Sequence, residues 1–223
     1  MSKILLLSFP RSGNTWVRYI FEFLSKRPTQ GYLHNPKDVA PHVTADIGVD
    51  PDAEPILRKS HQELWDDCDR MIFILRDYKE AIIRDAKHLG IEKPKELWEH
   101  FQKVTRGEPE KPYDYIFALQ QFENFRAKKL LVYYEDLLLD PQRAITKMVH
   151  FSGIDDKYLD EFFENYEDHR QKSVAGYQPG SHSGGTSRLH HSAKLPPNIV
   201  KQFTRHMMRK QPKFFGKYLK RYM

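Results

Sequence analysis

The stretch LLLSFPRSGNTWVRYIFEFL, residues 5–24, constrains the fold more than any other. An apolar run ends abruptly in Pro, Arg, Ser, Gly, Asn and Thr, and a helical pattern follows without a linker. Lys3–Ser8 reads as a buried strand. Thr15–Lys26 reads as a helix with Trp16, Ile20, Phe23 and Leu24 near one face. A tight bend from strand into helix exposes backbone N–H groups at the positive end of the helix dipole, which together attract an anion. Gly13 lets the backbone pass close to such a ligand. Arg11 adds a fixed charge, and Ser12, Asn14 and Thr15 add hydroxyl and amide groups. A plain helix cap with an exposed Arg is the bland alternative for the same residues.

The pattern then repeats. Ile56–Lys59 is a short strand, Met71–Arg76 a buried strand and Tyr78–His88 a helix. Two helical patterns cover 94–105 and 113–127. Leu130–Tyr134 is a further strand, followed by helices over Gln142–Phe151 and 157–167, and a last helix begins near Pro197. Residues 28–55, rich in Pro, Asp and Gly, read as an irregular excursion. The Gly/Ser/His-rich stretch 173–193 reads as a mobile loop. Strands alternating with helices imply an α/β fold with a central parallel sheet flanked by helices in three layers, as a single domain over 1–223. Ligands in such sheets sit beyond the carboxyl ends of the strands. The bend after Ser8, Arg76 and Tyr134 all fall on that edge.

Charge is distributed unevenly. All 30 acidic residues lie at or before Asp168, whereas 12 of the 36 Lys and Arg follow it. That segregation predicts an anion near the basic C-terminal quarter, against the alternative of a solvated face. The segment 197–223 alternates cations with Phe and Tyr; it is either a polyanion surface or a helix with docked aromatics and exposed Lys. The single cysteine, Cys68, rules out an internal disulfide and a cysteine metal cluster. His182, His190 and His191 have no nearby carboxylate or Cys, so no metal site is expected there. Without a leader-like or membrane-spanning stretch, the expected location is cytoplasmic. Trp65, Trp98, Phe162, Phe163 and Tyr166 read first as core, and second as an acceptor lining.

The bend lacks the Gly-Lys pair of a Walker loop, and an Asp placed to hold magnesium is missing after Met71–Leu75. A nucleotide kinase is therefore the weaker enzyme reading. The stretch SFPRSGNTW instead resembles the 5′-phosphosulfate loop of sulfotransferases that use 3′-phosphoadenosine 5′-phosphosulfate (PAPS), with Arg11 in place of a Lys and Asn14 in place of a Thr. Three further segments agree in the family's order. ILRKSHQEL at 56–64 is similar to the segment with a Lys and the catalytic His. MIFILRDYKEAIIRDAKH at 71–88 is similar to the 3′-phosphate strand-turn-helix. LLVYYEDLLLDPQRAITKMVHFSGI at 130–154 is similar to the segment with a Tyr-Glu-Asp.

The resemblance implies PAPS as co-substrate, no required metal, and a hydroxyl-bearing small molecule or glycan as acceptor. It assigns Arg11 to the bridging oxygen of the leaving phosphate, and Ser12, Gly13, Asn14 and Thr15 to the 5′-phosphosulfate. Trp16 and Tyr134 fall to the adenine, Arg76 to the 3′-phosphate, His61 to general base and Lys59 to the sulfuryl group. Glu63 is the local alternative base. Two departures stand out. Arg84 occupies a position where the family has a Ser on the 3′-phosphate, and the late Arg-Lys-Gly motif is missing in recognisable form. Arg188 is the candidate for its Arg, with Arg170 and Lys172 as competitors. A Lys-x-His pattern leans toward small hydroxyl acceptors. Nucleic acid is a disfavoured partner, and a homodimer is one way to complete the acceptor site.

Overall fold

The computed structural model describes residues 3–31, 47–64, 66–109, 113–175 and 195–223. Five strands form one sheet: β1 (Ile4–Leu7), β2 (Thr29–Gln30), β3 (Leu57–Ser60), β4 (Arg70–Leu75) and β5 (Lys128–Tyr133). Their order is β2-β3-β1-β4-β5 and every pairing is parallel. Helices α1 (Asn14–Ser25), α2 (Tyr78–His88), α3 (Pro94–Lys103), α4 (Tyr115–Asn124), α5 (Asp136–Leu139), α6 (Pro141–Ser152), α7 (Leu159–Glu164), α8 (Tyr166–Ala175) and α9 (Pro197–Lys210) flank it. A π turn at Phe215–Leu219 and a 3-10 turn at Lys220–Tyr222 follow.

Strand period 2 divides the core between two faces. Leu5, Leu7, Met71, Phe73 and Leu75 point to one face, with α2, α3, α4, α9 and the terminal turns. Ile4, Leu6, Ile72, Ile74, Leu130 and Val132 point to the other, with α1, α6 and α7. Burial on both faces is why β1 is a continuous apolar run rather than an alternating one. Three of the helices start at an Asp whose side chain caps them. Asp77 accepts from Lys79 N at 2.9 Å, Asp114 from Phe117 N at 2.8 Å and Asp140 from Arg143 N at 3.3 Å, with Pro141 in the first turn of α6. Gly153 closes α6 in the left-handed conformation, φ 71°.

Four expectations need correction. The excursion 28–55 contains β2, which pairs with β3; two residues are too few to show a periodicity. The helix expected over 157–167 is broken at Asn165 into α7 and α8, because the chain turns there to pack Phe162 and His169 against α1. Helix α8 extends to Ala175, so 173–175 of the expected loop are helical; 176–194, with His182, Arg188, His190 and His191, lies outside the described residues, as does Trp65. The short helix α5 was not expected at all.

The basic C-terminal segment is docked. Phe214, Phe215, Tyr218, Leu219 and Tyr222 are buried. Phe203 of α9 stacks on Phe101 at 3.9 Å between ring centres. Its charges find acids from earlier in the chain: Lys213 and Lys217 both bond Glu123, at 2.6 and 2.8 Å, and Arg221 bonds Asp136 at 2.8 Å. Part of the charge segregation therefore reflects internal pairing rather than an external anion.

Candidate anion site at the carboxyl edge of the sheet

Leu7 is paired with Ser60 and with Phe73, and Leu75 with Tyr133. The chain therefore leaves β1, β3, β4 and β5 on a common edge, and the next residues are Ser8, His61, Arg76 and Tyr134. The loop Ser8–Gly13 is held by the other three. His61 Nδ1 lies 2.9 Å from the Ser8 carbonyl. Arg76 Nη1 donates to the Arg11 carbonyl at 2.9 Å. The Tyr134 ring lies directly under Gly13, where a Cβ would collide with it. Gly13 has φ 104°, a conformation that favours glycine. Arg11 is also left-handed, at φ 61°, a strained choice for a residue with a Cβ.

Helix α1 then begins without a side-chain cap and without an acid in its first turn. Three other helix starts, those of α2, α4 and α6, are satisfied internally by Asp77, Asp114 and Asp140. Here donors and acceptors are instead left unmet. Among the described residues, the buried atoms Ser12 Oγ, Asn14 Oδ1, Trp16 Nε1, and Arg76 Nε and Nη2 have no hydrogen-bond partner. Leaving one such group unsatisfied costs about 1–3 kcal/mol, more for a charge. Several of them gather around one bend, with Arg76 only 3% exposed, an arrangement that suits a polar, negatively charged ligand. The donor set is cationic or neutral, with N–H groups suited to phosphate and sulfate oxygens. These residues fit a phosphosulfate.

His61 is buried and its ring faces Tyr113 at 5.1 Å. A carbonyl only accepts, so the contact with Ser8 puts the proton on Nδ1 and the lone pair on Nε2. The Asn14 amide sits 3.4 Å from Nδ1 and meets a protonated Nδ1 best with its oxygen; whichever way it turns, one amide atom remains without a protein partner. Burial, and then the charge on Lys59, push the His61 pKa down to about 3; the Ser8 carbonyl opposes this and Arg11 adds to it. The imidazole is therefore neutral at physiological pH.

The remaining candidates fall into place unevenly. Arg58 bonds Asp67 at 2.7 and 2.8 Å and belongs to a surface ion pair, whereas its neighbour Lys59 acts on His61. Arg76 stacks over the Tyr134 ring at 4.2 Å. Arg84 lies 3.7 Å from the buried Glu80; burial, followed by the charge of Arg76, lowers its pKa. Thr15 stands in the first turn of α1. Trp16 is buried among Tyr19, Phe162 and Tyr166, with ring centres 5.7–5.8 Å away. Phe162 in that group is fully buried, in keeping with the core reading. Arg170 pairs with Glu167 at 3.6 Å and Lys172 with Asp168 at 2.8 Å, both along α8. Glu63 is exposed, and its backbone N–H donates to Ser60 Oγ at 2.8 Å. Sequence reasoning passed over Tyr115, whose hydroxyl donates to the Arg76 carbonyl, and Glu135, whose carboxylate accepts from Asp77 N. Nothing local marks Tyr115; Glu135 stood inside a quoted motif without a role.

A parallel α/β sheet with an uncapped, glycine-bent helix start at its carboxyl edge defines a P-loop-like α/β class of protein. Within that class, the family model of the sulfotransferase domain matches residues 1–223, and the chain belongs to that family. A curated relative, sulfotransferase 2A6 of Rattus norvegicus, is 23% identical over 173 residues, 67% of this chain and 59% of the relative. The chain thus spans about three fifths of that relative's length. The fold is similar to that of mouse sulfotransferase SULT7A1 complexed with PAP, with TM-score 0.66, 17% identity, and coverage of 100% of this chain and 89% of the other. It is also similar to a retinol dehydratase in complex with retinol and PAP, with TM-score 0.59, 15% identity, and coverage of 95% and 81%. Among the described residues, no helix is long and apolar enough to cross a membrane.

Proposed function

We propose that the chain transfers a sulfuryl group from PAPS to an acceptor hydroxyl. The donor supplies an activated sulfuryl group on a phosphate leaving group. The single observation that carries this reading is the set of buried, unmet polar atoms on Ser12, Asn14 and Arg76 around one uncapped helix start. Ser12, Gly13, Asn14 and Thr15 hold the 5′ end of the donor, and Arg76 its 3′-phosphate, with Arg84 beside it. Tyr134 and Trp16 frame the adenine. Arg11 and the α1 dipole stabilise charge on the departing phosphate, and Lys59 attracts the sulfuryl oxygens. In-line transfer of this kind depends mostly on positioning and electrostatics, like phosphoryl transfer.

His61 Nε2 takes the acceptor proton as the new S–O bond forms. A base at about 3 is weak, but part of that depression comes from Lys59 and Arg11. A bound polyanion offsets both cations and returns basicity to the imidazole when the acceptor is present. The Lys-x-His arrangement favours a small hydroxyl compound as acceptor.

Ligand-dependent melting tests this directly. Adenosine 3′,5′-bisphosphate (PAP) without magnesium is expected to raise the melting temperature, and a hundredfold excess over its dissociation constant is worth about 2.7 kcal/mol. Mg-ATP is expected to do far less. A larger shift with Mg-ATP overturns the reading, and labelled PAPS with a panel of hydroxyl compounds then identifies the acceptor.

A further inference from the structure

Next to Arg76 lies a polar cluster that the reaction above does not use. The turns after β4 and β5 meet the Lys220–Tyr222 turn there. One Glu135 oxygen accepts from Asp77 N at 3.0 Å, and the other accepts from the Tyr222 hydroxyl at 2.7 Å. The Tyr222 carbonyl accepts from Lys79 Nζ, and that ammonium lies 3.5 Å from the Asp77 carboxylate. The circuit is closed: Asp77, Glu135, Tyr222, Lys79 and back to Asp77. Tyr222 and Lys79 are both buried.

An anchor for the terminal turns would be the bland account, but the place it grips argues for more. Glu135 holds the N–H of the residue directly after Arg76, and the Tyr115 hydroxyl holds the Arg76 carbonyl. The peptide between Arg76 and Asp77 is therefore fixed through both its polar atoms. The Arg76 side chain, by contrast, has one hydrogen bond, to the Arg11 carbonyl, and two buried nitrogens still unmet. Held otherwise only by its stack on the Tyr134 ring, the guanidinium takes its aim in large part from its backbone. The circuit also crowds two carboxylates: burial pushes the Asp77 pKa up to about 6, and Glu135 adds to that against the pull of Lys79.

We propose that Tyr222 is a positioning residue for the anion site: through Glu135 it sets the Arg76–Asp77 peptide, and with it the aim of the Arg76 guanidinium. The proposal rests on the reading of Arg76 as the 3′-phosphate ligand.

The test uses Tyr222→Phe in the full chain, which keeps the ring and removes the hydroxyl. Two probes are titrated: PAP, and adenosine 5′-phosphosulfate, which lacks the 3′-phosphate. Losing one positioning hydrogen bond is expected to weaken PAP about three- to tenfold and leave adenosine 5′-phosphosulfate within twofold. The amide of Asp77 should exchange its hydrogen faster in the ligand-free variant. Glu135→Gln can still accept from Asp77 N and donate to the Tyr222 hydroxyl, so it should bind PAP within about twofold of wild type. Unchanged PAP affinity in Tyr222→Phe, or an equal loss for both probes, overturns the proposal. If the wild-type protein binds neither probe, the sulfotransferase reading is what fails. Asp77 exchange then decides the circuit alone: faster exchange in Tyr222→Phe supports it, and unchanged exchange overturns it.

Discussion

Two basic regions of this protein have opposite fates. The bend Ser8–Thr15, with Arg76, keeps buried polar atoms unmet and starts a helix without a cap. The terminal segment 212–223 has more cations, yet Lys213, Lys217 and Arg221 are paired with acids from distant parts of the chain. Burial would raise the Glu123 carboxyl, but hydrogen bonds from Lys213, Lys217 and Tyr218 overcome it and hold the pKa down at about 2. Positive charge alone therefore does not locate a site. Buried polar groups left unpaired together around one bend are the better guide, because a bound ligand can recover the cost of desolvating them.

Substitutions in the two regions should separate activity from stability. The largest effect is expected at His61. His61→Ala should lower the transfer rate about 10²–10⁴-fold, whereas Glu63→Ala should leave it within a few-fold. A reversed result would make Glu63 the base. The same residue predicts the pH profile. Its pKa in the folded protein, about 3, lies below the ordinary histidine value, so the free enzyme carries neutral imidazole through the physiological range. The profile of kcat/KM for PAPS, which reports the free enzyme, should show no limb near pH 6.5, where an unshifted histidine titrates. A clear acid limb at that pH in the PAPS profile would overturn the lowered His61 pKa of the free enzyme.

Arg11 comes next. Arg11→Ala should cost about 10²–10³-fold in kcat, and Arg11→Lys should keep measurable activity because a point charge still faces the leaving oxygen. Equal rates for Arg11→Ala and wild type would remove Arg11 from the chemistry. Gly13→Ala then tests the bend itself. A Cβ there meets the Tyr134 ring at a φ of 104°, so the variant should lose about 1–3 kcal/mol of stability and most PAP binding. Normal PAP binding would show that the loop does not need its close approach to Tyr134.

The smallest effect belongs to the paired region. Glu123→Ala should cost about 0.5–1 kcal/mol, as expected for a partly exposed ion pair, and leave PAP affinity unchanged. Because the Glu123 pKa lies below the ordinary carboxylate value, its contribution is present above about pH 4.5 and is lost as the pH falls toward 2. A change in PAP affinity would mean that the two regions are energetically linked.

Most of the fold was legible before any coordinates. Helix α2 falls on Tyr78–His88 as expected, and β1, β4 and β5 within a residue or two, because apolar runs of strand length ending in turn residues have few other solutions. What escaped was short or interrupted. Strand β2 has two residues, and the break at Asn165 comes from packing against α1. At the site, the bend was visible as a tight polar cluster between two apolar patterns. Tyr115 and Glu135 carried no such mark, since their partners arrive 39 and 58 residues away in the chain.

By itself, the sequence determined the alternation of strands and helices, the glycine-bent cationic turn and the edge on which Ser8, Arg76 and Tyr134 gather. These follow from periodicities and backbone preferences that act over a few residues. Only the tertiary structure decided which cations meet an acid and which are buried without one. Ion pairing depends on distance in space, and Lys213 and Glu123 stand 90 residues apart along the chain.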